Sequence, residues 1–361
     1  MTSTTTLARR TGPRLFALTL VLAGALLAGC APGGYDGPPS DHFDGKRFFG
    51  PGTDPNNSFF DFLWMNLTKP ADSAGPWPDW VENRFNDRPP ERVAGPELRI
   101  SYVGHATFLI QTAGLNILTD PHYGPRASPS GWFGPKRVAA PGIAWDRLPP
   151  IDIVLISHGH YDHLDQATLA RLWQRFKPRI VAPLGHTATI RDGDASIAVE
   201  ELDWGKAIVA GPVRITLEPM QHWTARGLFD RNRALWGAYA IEAPGGPVYF
   251  LADSGYGDGA FIRNVRAKYG PLRLALVPIG AYLPRGFMAF AHMNPAESVQ
   301  AHLDLGGPPT LAHQHEVFDM ADEGYDQPRS DLGVALKARG LPDDRFVAPR
   351  VGQSFVYPAL P

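Results

Sequence analysis

This chain has little sulfur chemistry available to it. Its 361 residues include one cysteine, Cys30. An intrachain disulfide is excluded, and a thiolate metal site has no set of ligands to draw on. Charge is also sparse: 19% of residues are charged and the formal net charge is -2. Without a basic excess, nucleic acid is not an expected partner. Long apolar runs are few. The clearest, Leu15 to Gly29, is too short for a comfortable membrane span. What the chain has instead is 44% hydrophobic and 11% aromatic residues, enough for a sizeable core. Glycine (38) and proline (36) are abundant, which predicts many turns and loops rather than a helical bundle.

The apolar run has the layout of a processing signal. Arg9, Arg10 and Arg14 precede it, and it ends in Leu27-Ala28-Gly29-Cys30. This resembles a bacterial lipoprotein signal, in which cleavage precedes the cysteine and Cys30 is lipidated. Losing the three arginines would take the formal charge from -2 to -5. The expected organisation is a signal peptide over 1–29, a tether and irregular lead-in over 30–75, and one globular domain over 76–361. The expected location is the bacterial cell envelope, lipid-anchored. Ala31 is not the Asp that commonly signals inner-membrane retention, which favours the periplasmic side of the outer membrane. Within the lead-in, Ser58 to Leu67 is dense in aromatics. Trp77 and Trp80, set among prolines, read as an extended aromatic surface, either packed on the domain or facing lipid.

Strand signals begin at Leu98. Leu98–Tyr102, Thr107–Gln111 and Leu115–Thr119 read as an antiparallel meander broken at Gly104 and Gly114. A long Gly/Pro/Ser loop, Tyr123 to Pro141, is of the kind that frames an active site. Further strands are expected at 151–156, 180–183, 198–202, 206–209, 213–219, 237–241, 248–252, 274–278 and 309–312. Helices are expected at 166–176, 260–268 and 295–303. Asp165 is a plausible cap for the first of them. Meanders that give way to interleaved helices argue for an α/β sandwich rather than a doubly wound sheet.

The chemistry concentrates where the strand at 151–156 stops. After Ser157 come His158, His160, Asp162 and His163 within six positions. Imidazole and carboxylate are ligands of zinc-like divalent ions. His158 and His160 can aim at one ion, with Gly159 between them offering no obstruction. Asp162 and His163 point elsewhere on the same turn, where they can hold a second. Any one of these histidines alone would more simply be a core or surface residue; four ligand types in six positions reverse that reading. Other apolar strands end in His222, Asp253 and His313.

These features resemble the metallo-β-lactamase fold superfamily, whose H-x-H-x-D-H signature stands here at residues 158–163. A more specific resemblance is to N-acyl-phosphatidylethanolamine-hydrolysing phospholipase D and its bacterial relatives. It is carried by PWPDW (76–80), YVGHATFLI (102–110), LTDPHYGPRASPSGWFGPKR (118–137), LPPIDIVLISHGHYDHLD (148–165), QHW (221–223), LWGAY (235–239), FLADSGY (250–256), PIGAYLPRGFM (278–288) and HMNPAES (292–298). The resemblance implies a four-layer αββα sandwich that binds two Zn2+ ions. His158, His160 and His222 would hold one ion. Asp162, His163 and His313 would hold the other, and Asp253 would bridge them. The relatives place a glycine after the last ligand, as in H-W-G-T-F. Here the chain reads His313-Gln314-His315-Glu316-Val317-Phe318, so His313 and His315 are both open, with His313 favoured because it ends the strand.

The resemblance further implies a phospholipase D-type hydrolase that attacks phosphorus with a hydroxide shared by two ions. Such ions lower the pKa of a bound water towards about 7. Asp162 and Asp253 would act within this centre. His292 would face the substrate phosphate, unless it merely caps the helix at Pro295. His105 and Asp120 resemble residues that hold ligand imidazoles, or serve as turn residues. His42, His122, His186 and His302 read as ordinary structural histidines. A lactonase or amidase on the same site is the main alternative, and a non-catalytic envelope lipoprotein a lesser one.

Overall fold

The computed structural model describes residues 33–52, 75–227 and 229–361. The expected signal peptide, Cys30 and the aromatic stretch at 58–67 lie outside the described residues. Alternation and apolar runs build two seven-stranded sheets. The first contains β1 (Leu98–Gly104), β2 (Thr107–Thr112), β3 (Leu115–Thr119), β4 (Ile153–Leu155), β5 (Arg179–Pro183) and β6 (Val199–Leu202) in that order, with β14 (Ser354–Tyr357) outside β1. The second contains β7 (Ala207–Ala210), β8 (Val213–Glu218), β9 (Ala238–Ala243), β10 (Gly246–Phe250), β11 (Leu274–Pro278), β12 (Thr310–His313) and β13 (Phe346–Val347), also in order. Each sheet has three antiparallel pairings followed by three parallel ones.

The continuous apolar runs follow from burial on both faces. Along β4, Ile153 and Leu155 point into the core between the sheets. Val154 and Ile156 point the other way, into a second core under α1 (Gln166–Phe176) and α2 (Thr187–Gly193). The same split divides Phe108 and Ile110 from Leu109, and Ile117 from Leu118. Period-two alternation thus feeds two cores from one strand. The outer side of the second sheet is covered by α3 (Ala260–Tyr269), α5 (Pro295–Asp304) and α6 (Gln327–Ala338), whose Ile262, Val299 and Leu332 join the main core. The result is the expected helix–sheet–sheet–helix order. A single-turn helix, α4 (Arg285–Met288), precedes α5.

Local signals set the helix starts. Asp165 caps α1, accepting from the N–H groups of Ala167 and Thr168. Asn294 caps α5 in a reciprocal box with Glu297, and Pro295 fills the first turn. The helices α2, α4 and α6 and the strands β13 and β14 were not expected. They are short, weakly periodic, or, for β14, half-exposed and polar at the start.

Residues 33–52 are irregular, yet they fold onto the domain. Phe43 and Phe48 are buried in the main core, 4.5 Å apart at their ring centroids. Phe48 N–H donates to Asn232 O at 2.7 Å. His42 stacks on Trp204 and bonds Asp41 and Asp203 through its two ring nitrogens. The burial of two phenylalanines makes this stretch part of the folded unit. The Trp77–Trp80 pair divides. Trp77 donates to Glu323 O at 2.9 Å and packs edge-on against Tyr325, whereas Trp80 is exposed.

Candidate metal centre

The loop that follows β4 is held from both sheets. Tyr239 on β9 donates its hydroxyl to Ile156 O at 2.8 Å, and Gly237 N–H donates to Ser157 O at 3.0 Å. Asp120, at the end of β3 with a positive φ of 34°, accepts from Ser157 N–H at 2.7 Å and from Ser157 Oγ–H at 2.6 Å. Gly159 is needed for close approach. A Cβ there would lie 2.8 Å from Thr224 Oγ1 and 3.0 Å from His186 Cε1. The glycine therefore makes room for neighbours behind the loop, beyond the freedom it gives the two flanking rings.

On this base the donors converge in groups. His158, His160 and His222 bring one ring nitrogen each to a common point. His158 Nε2 lies 2.8 Å from His160 Nδ1, which lies 3.2 Å from His222 Nε2. Beside them, His163 Nε2 is 3.1 Å from Asp162 Oδ2 and 3.1 Å from Asp253 Oδ2. Asp253 groups with His158 and His163 on one side and with His222 and His292 on the other. That is the placement a carboxylate shared between two ions requires. His313 enters none of these groups among the described residues. Its ring is packed near Phe108 and Phe250, and neither nitrogen has a hydrogen-bond partner. His315 stacks on Tyr102 and neighbours Glu316, which Arg329 and Arg350 hold away from the cluster.

Outer hydrogen bonds fix which nitrogen faces inward. Asp120 Oδ2 accepts from His163 Nδ1 at 2.8 Å, which turns Nε2 to the centre. Ala291 O is 3.0 Å from His222 Nδ1. Ser157 Oγ is 2.8 Å from His158 Nδ1. His105, in the tight β1–β2 turn at φ 58°, places Nε2 2.8 Å from Asp162 Oδ2. His105 and Asp120 thus act on the cluster as well as turning the chain. His292 lies with Nδ1 3.8 Å from Asp253 Oδ2, buried and unbonded. The capping role belongs to Asn294, which leaves the His292 ring to the site.

Electrostatics prepare the cluster for cations. Burial, then the neighbouring imidazoles, hold His158 and His222 well below the usual histidine range, and His160 falls to about 3. All three are neutral near pH 7, with lone pairs to offer. Burial alone would also lower His163, but the carboxylates of Asp253, Asp162 and Asp120 outweigh it and hold it well above the usual range. Asp162 and Asp253 resist the upward push of burial because His163 lies against both, and they stay ionised. Two buried carboxylates therefore call for positive charge at one point. His163 Nε2, His160 Nε2 and Asp253 Oδ1 are buried without hydrogen-bond partners. Imidazole and carboxylate donors with orphaned buried atoms fit divalent ions of the zinc type.

Residues with no sequence signal of their own complete the site. Thr224 Oγ1 accepts from Gly159 N–H at 2.9 Å, and Arg226 donates to the carbonyls of Gly159 and Leu164. Gln314 puts its side-chain amide among the carboxylates. Each is a common polar residue on a loop, far in sequence from what it touches.

Sheet order, layer order and ligand groups define a class. The chain belongs to the β-lactamase superfamily, whose domain model matches residues 115–314, and it is a metal-dependent hydrolase of the metallo-β-lactamase fold. It is 36% identical over 265 residues to N-acyl-phosphatidylethanolamine-hydrolyzing phospholipase D 1 of Caenorhabditis elegans, covering 70% of this chain and 74% of that protein. It is 30% identical over 247 residues to the mitochondrial N-acyl-phosphatidylethanolamine-hydrolyzing phospholipase D of Saccharomyces cerevisiae, covering 67% of this chain and 52% of the yeast protein. Among solved structures, a possible metal-dependent hydrolase from Veillonella parvula superposes with a TM-score of 0.58 at 13% identity, covering 71% of this chain and 98% of that one.

Proposed function

We propose that this chain is a dinuclear zinc phosphodiesterase of phospholipase D type, acting on N-acyl-phosphatidylethanolamine-like lipids. The observation that carries the proposal is the pair of adjacent donor groups sharing Asp253. The identity to the nematode phospholipase D supports the choice of substrate. His158, His160 and His222 would hold the first ion; Asp162 and His163 would contribute to the second, and Asp253 would serve both. Bound there, such ions supply Lewis acidity towards phosphoryl oxygens and a water of lowered pKa.

The protein's own groups do the rest. His105 and Asp120 keep Asp162 and His163 aimed at the centre. Asp253 Oδ1, buried and unbonded, is available to accept a hydrogen bond from a nucleophilic water. Burial lowers the pKa of His292, so its ring is neutral near pH 7. A neutral ring donates one N–H, which suits a hydrogen bond to a phosphate oxygen or to the leaving oxygen. Lipidated Cys30 would hold the enzyme at the envelope membrane, beside its substrate. Trp132, 92% exposed on the long loop, has the amphipathic ring that membrane interfaces favour.

Release of N-acylethanolamine from a defined lipid, run beside lactone and β-lactam hydrolysis, tests this reading. Turnover confined to the lactone or β-lactam would replace it with a hydrolase of another class. Elemental analysis below about one ion per chain would overturn the two-ion centre. Metabolic labelling with a fatty acid, lost in Cys30→Ser, tests the anchor.

A further inference from the structure

We infer that Gln314, rather than His313 or His315, supplies the last side-chain ligand of the second ion. The inference rests on the two-ion reading above and concerns how this chain completes that site. The Gln314 amide nitrogen lies 3.0 Å from Asp253 Oδ2 and 3.3 Å from Asp162 Oδ2. His163 Nε2 lies 3.1 Å from the same two oxygens. An imidazole and an amide thus each reach the same two carboxylate oxygens. Imidazole nitrogen and side-chain oxygen are donors that zinc takes, and a catalytic zinc can expand to five positions, which leaves one for water beside these four. His313 joins no donor group among the described residues, and its ring lies near Phe108 and Phe250. His315 joins no donor group among the described residues either: its ring stacks on Tyr102, with Nδ1 3.7 Å from Glu316.

An amide can serve either charge. With no cation present, its N–H groups face the carboxylates. A half-turn about the last side-chain bond exchanges N and O, and a cation held by the same carboxylates favours the oxygen. Gln314 Oε1 is buried with no hydrogen-bond partner, so the turn breaks no existing bond of the oxygen.

The backbone is shaped to hold this residue. Past the end of β12 the chain turns into the left-handed region, with Gln314 at φ 63°. That conformation is uncommon for a residue other than glycine, and its cost points to a functional constraint. Gln314 N–H donates to His105 O at 3.2 Å. Gln314 O presses so close to Gly280 that a Cβ there would sit 1.7 Å away. The spacing agrees. Counting back from Phe318 as in H-W-G-T-F puts Gln314 where the histidine stands. Glu316, at φ 58°, then falls on the glycine.

The two ion sites are therefore unequal. The first has three imidazoles and the shared Asp253. The second has two carboxylates, one amide oxygen and one imidazole, a harder set that holds zinc less tightly relative to manganese. The test is calorimetric titration of the full chain in detergent, chelator-stripped, with Zn2+ alone and separately with Mn2+. Wild type is expected to bind in two steps. Gln314→Ala should weaken the second zinc step by roughly 10- to 100-fold, the scale of a lost supporting group, and leave the first unchanged. Gln314→His should tighten it, and His313→Leu should leave both steps in place. Two wild-type steps in Gln314→Ala, or a second step lost in His313→Leu but kept in Gln314→Ala, would overturn the assignment. If His313→Leu does not fold, the Gln314→Ala and Gln314→His pair decides. A single step in wild type would instead overturn the two-ion reading beneath it.

Discussion

The two sheets have the same pattern of pairing but deliver their ligands in opposite ways. The first sheet delivers four donors through one loop after β4, all between His158 and His163. The second delivers His222 and Asp253 singly, from the segments after β8 and β10, and the inferred Gln314 donor from the segment after β12. A local cluster is legible because its donors share one turn. A scattered set converges only because β8, β10 and β12 run in the same direction, so that their C-terminal ends lie on one side of the sheet. The loop is also supported from outside itself: Asp120 and His105 come from the first sheet's meander, and Tyr239 and Gly237 from the second sheet's side. Neither half makes a site alone.

Breaking one carboxylate in each half tests that dependence most severely. Asp162→Asn from the loop and Asp253→Asn from the second sheet should each lower turnover by more than roughly 100-fold, beyond the usual cost of a lost outer partner. Assays at saturating zinc measure it. Near-normal turnover in either variant would mean that one half suffices.

Removing the supports should cost less. Asp120→Ala and His105→Ala are each expected to weaken metal affinity by roughly 10- to 100-fold. Competition against a chromophoric chelator reads this directly. Unchanged affinity would return both residues to a turn-forming role.

A milder contrast uses two histidines outside the centre, His186 beside the loop and His302 on α5. Burial lowers each to about 4, from an ordinary value of 6.5. In each case the folded form resists the proton that the unfolded chain accepts. Stability from these groups is intact above about pH 6.5 and is lost as pH falls towards 4. Thermal melts of His186→Gln and His302→Gln should show a shallower decline over that window than wild type. An identical slope would remove either residue from the acid response.

The smallest effect compares helix caps on the two sides. Asp165→Ala on α1 and Asn294→Ala on α5 should each cost about 1 kcal/mol in urea denaturation. Asp165 should cost somewhat more, because it also accepts from Gly124 N–H and Thr168 Oγ–H.

Much of this molecule was legible before folding. The strand Leu115–Thr119, the helix Gln166–Phe176 and the strand Leu274–Pro278 fall where periodicity places them. His158, His160, Asp162, His163, His222 and Asp253 were nominated from strand ends, and the fold gathers all six. Two expectations fare differently. His313 ends an apolar strand as the others do, but it joins none of the donor groups among the described residues, and its ring lies near Phe108 and Phe250. Phe43 and Phe48 read as part of a loose lead-in because what they join, the main core and the Asn232 carbonyl, lies far along the chain.

Local pattern was enough for the fold class, the loop and the chemical type of its ligands. Apolar alternation and clustered imidazoles act over a few residues, so they survive reading in one dimension. Spacing back from Phe318 points to Gln314, but only the folded chain brings its amide to the carboxylates of Asp162 and Asp253. That placement turns on a left-handed residue, on a glycine at position 280 that admits its carbonyl, and on which side of a strand faces the core. These are contacts across the chain, which a local spacing can point to but cannot make.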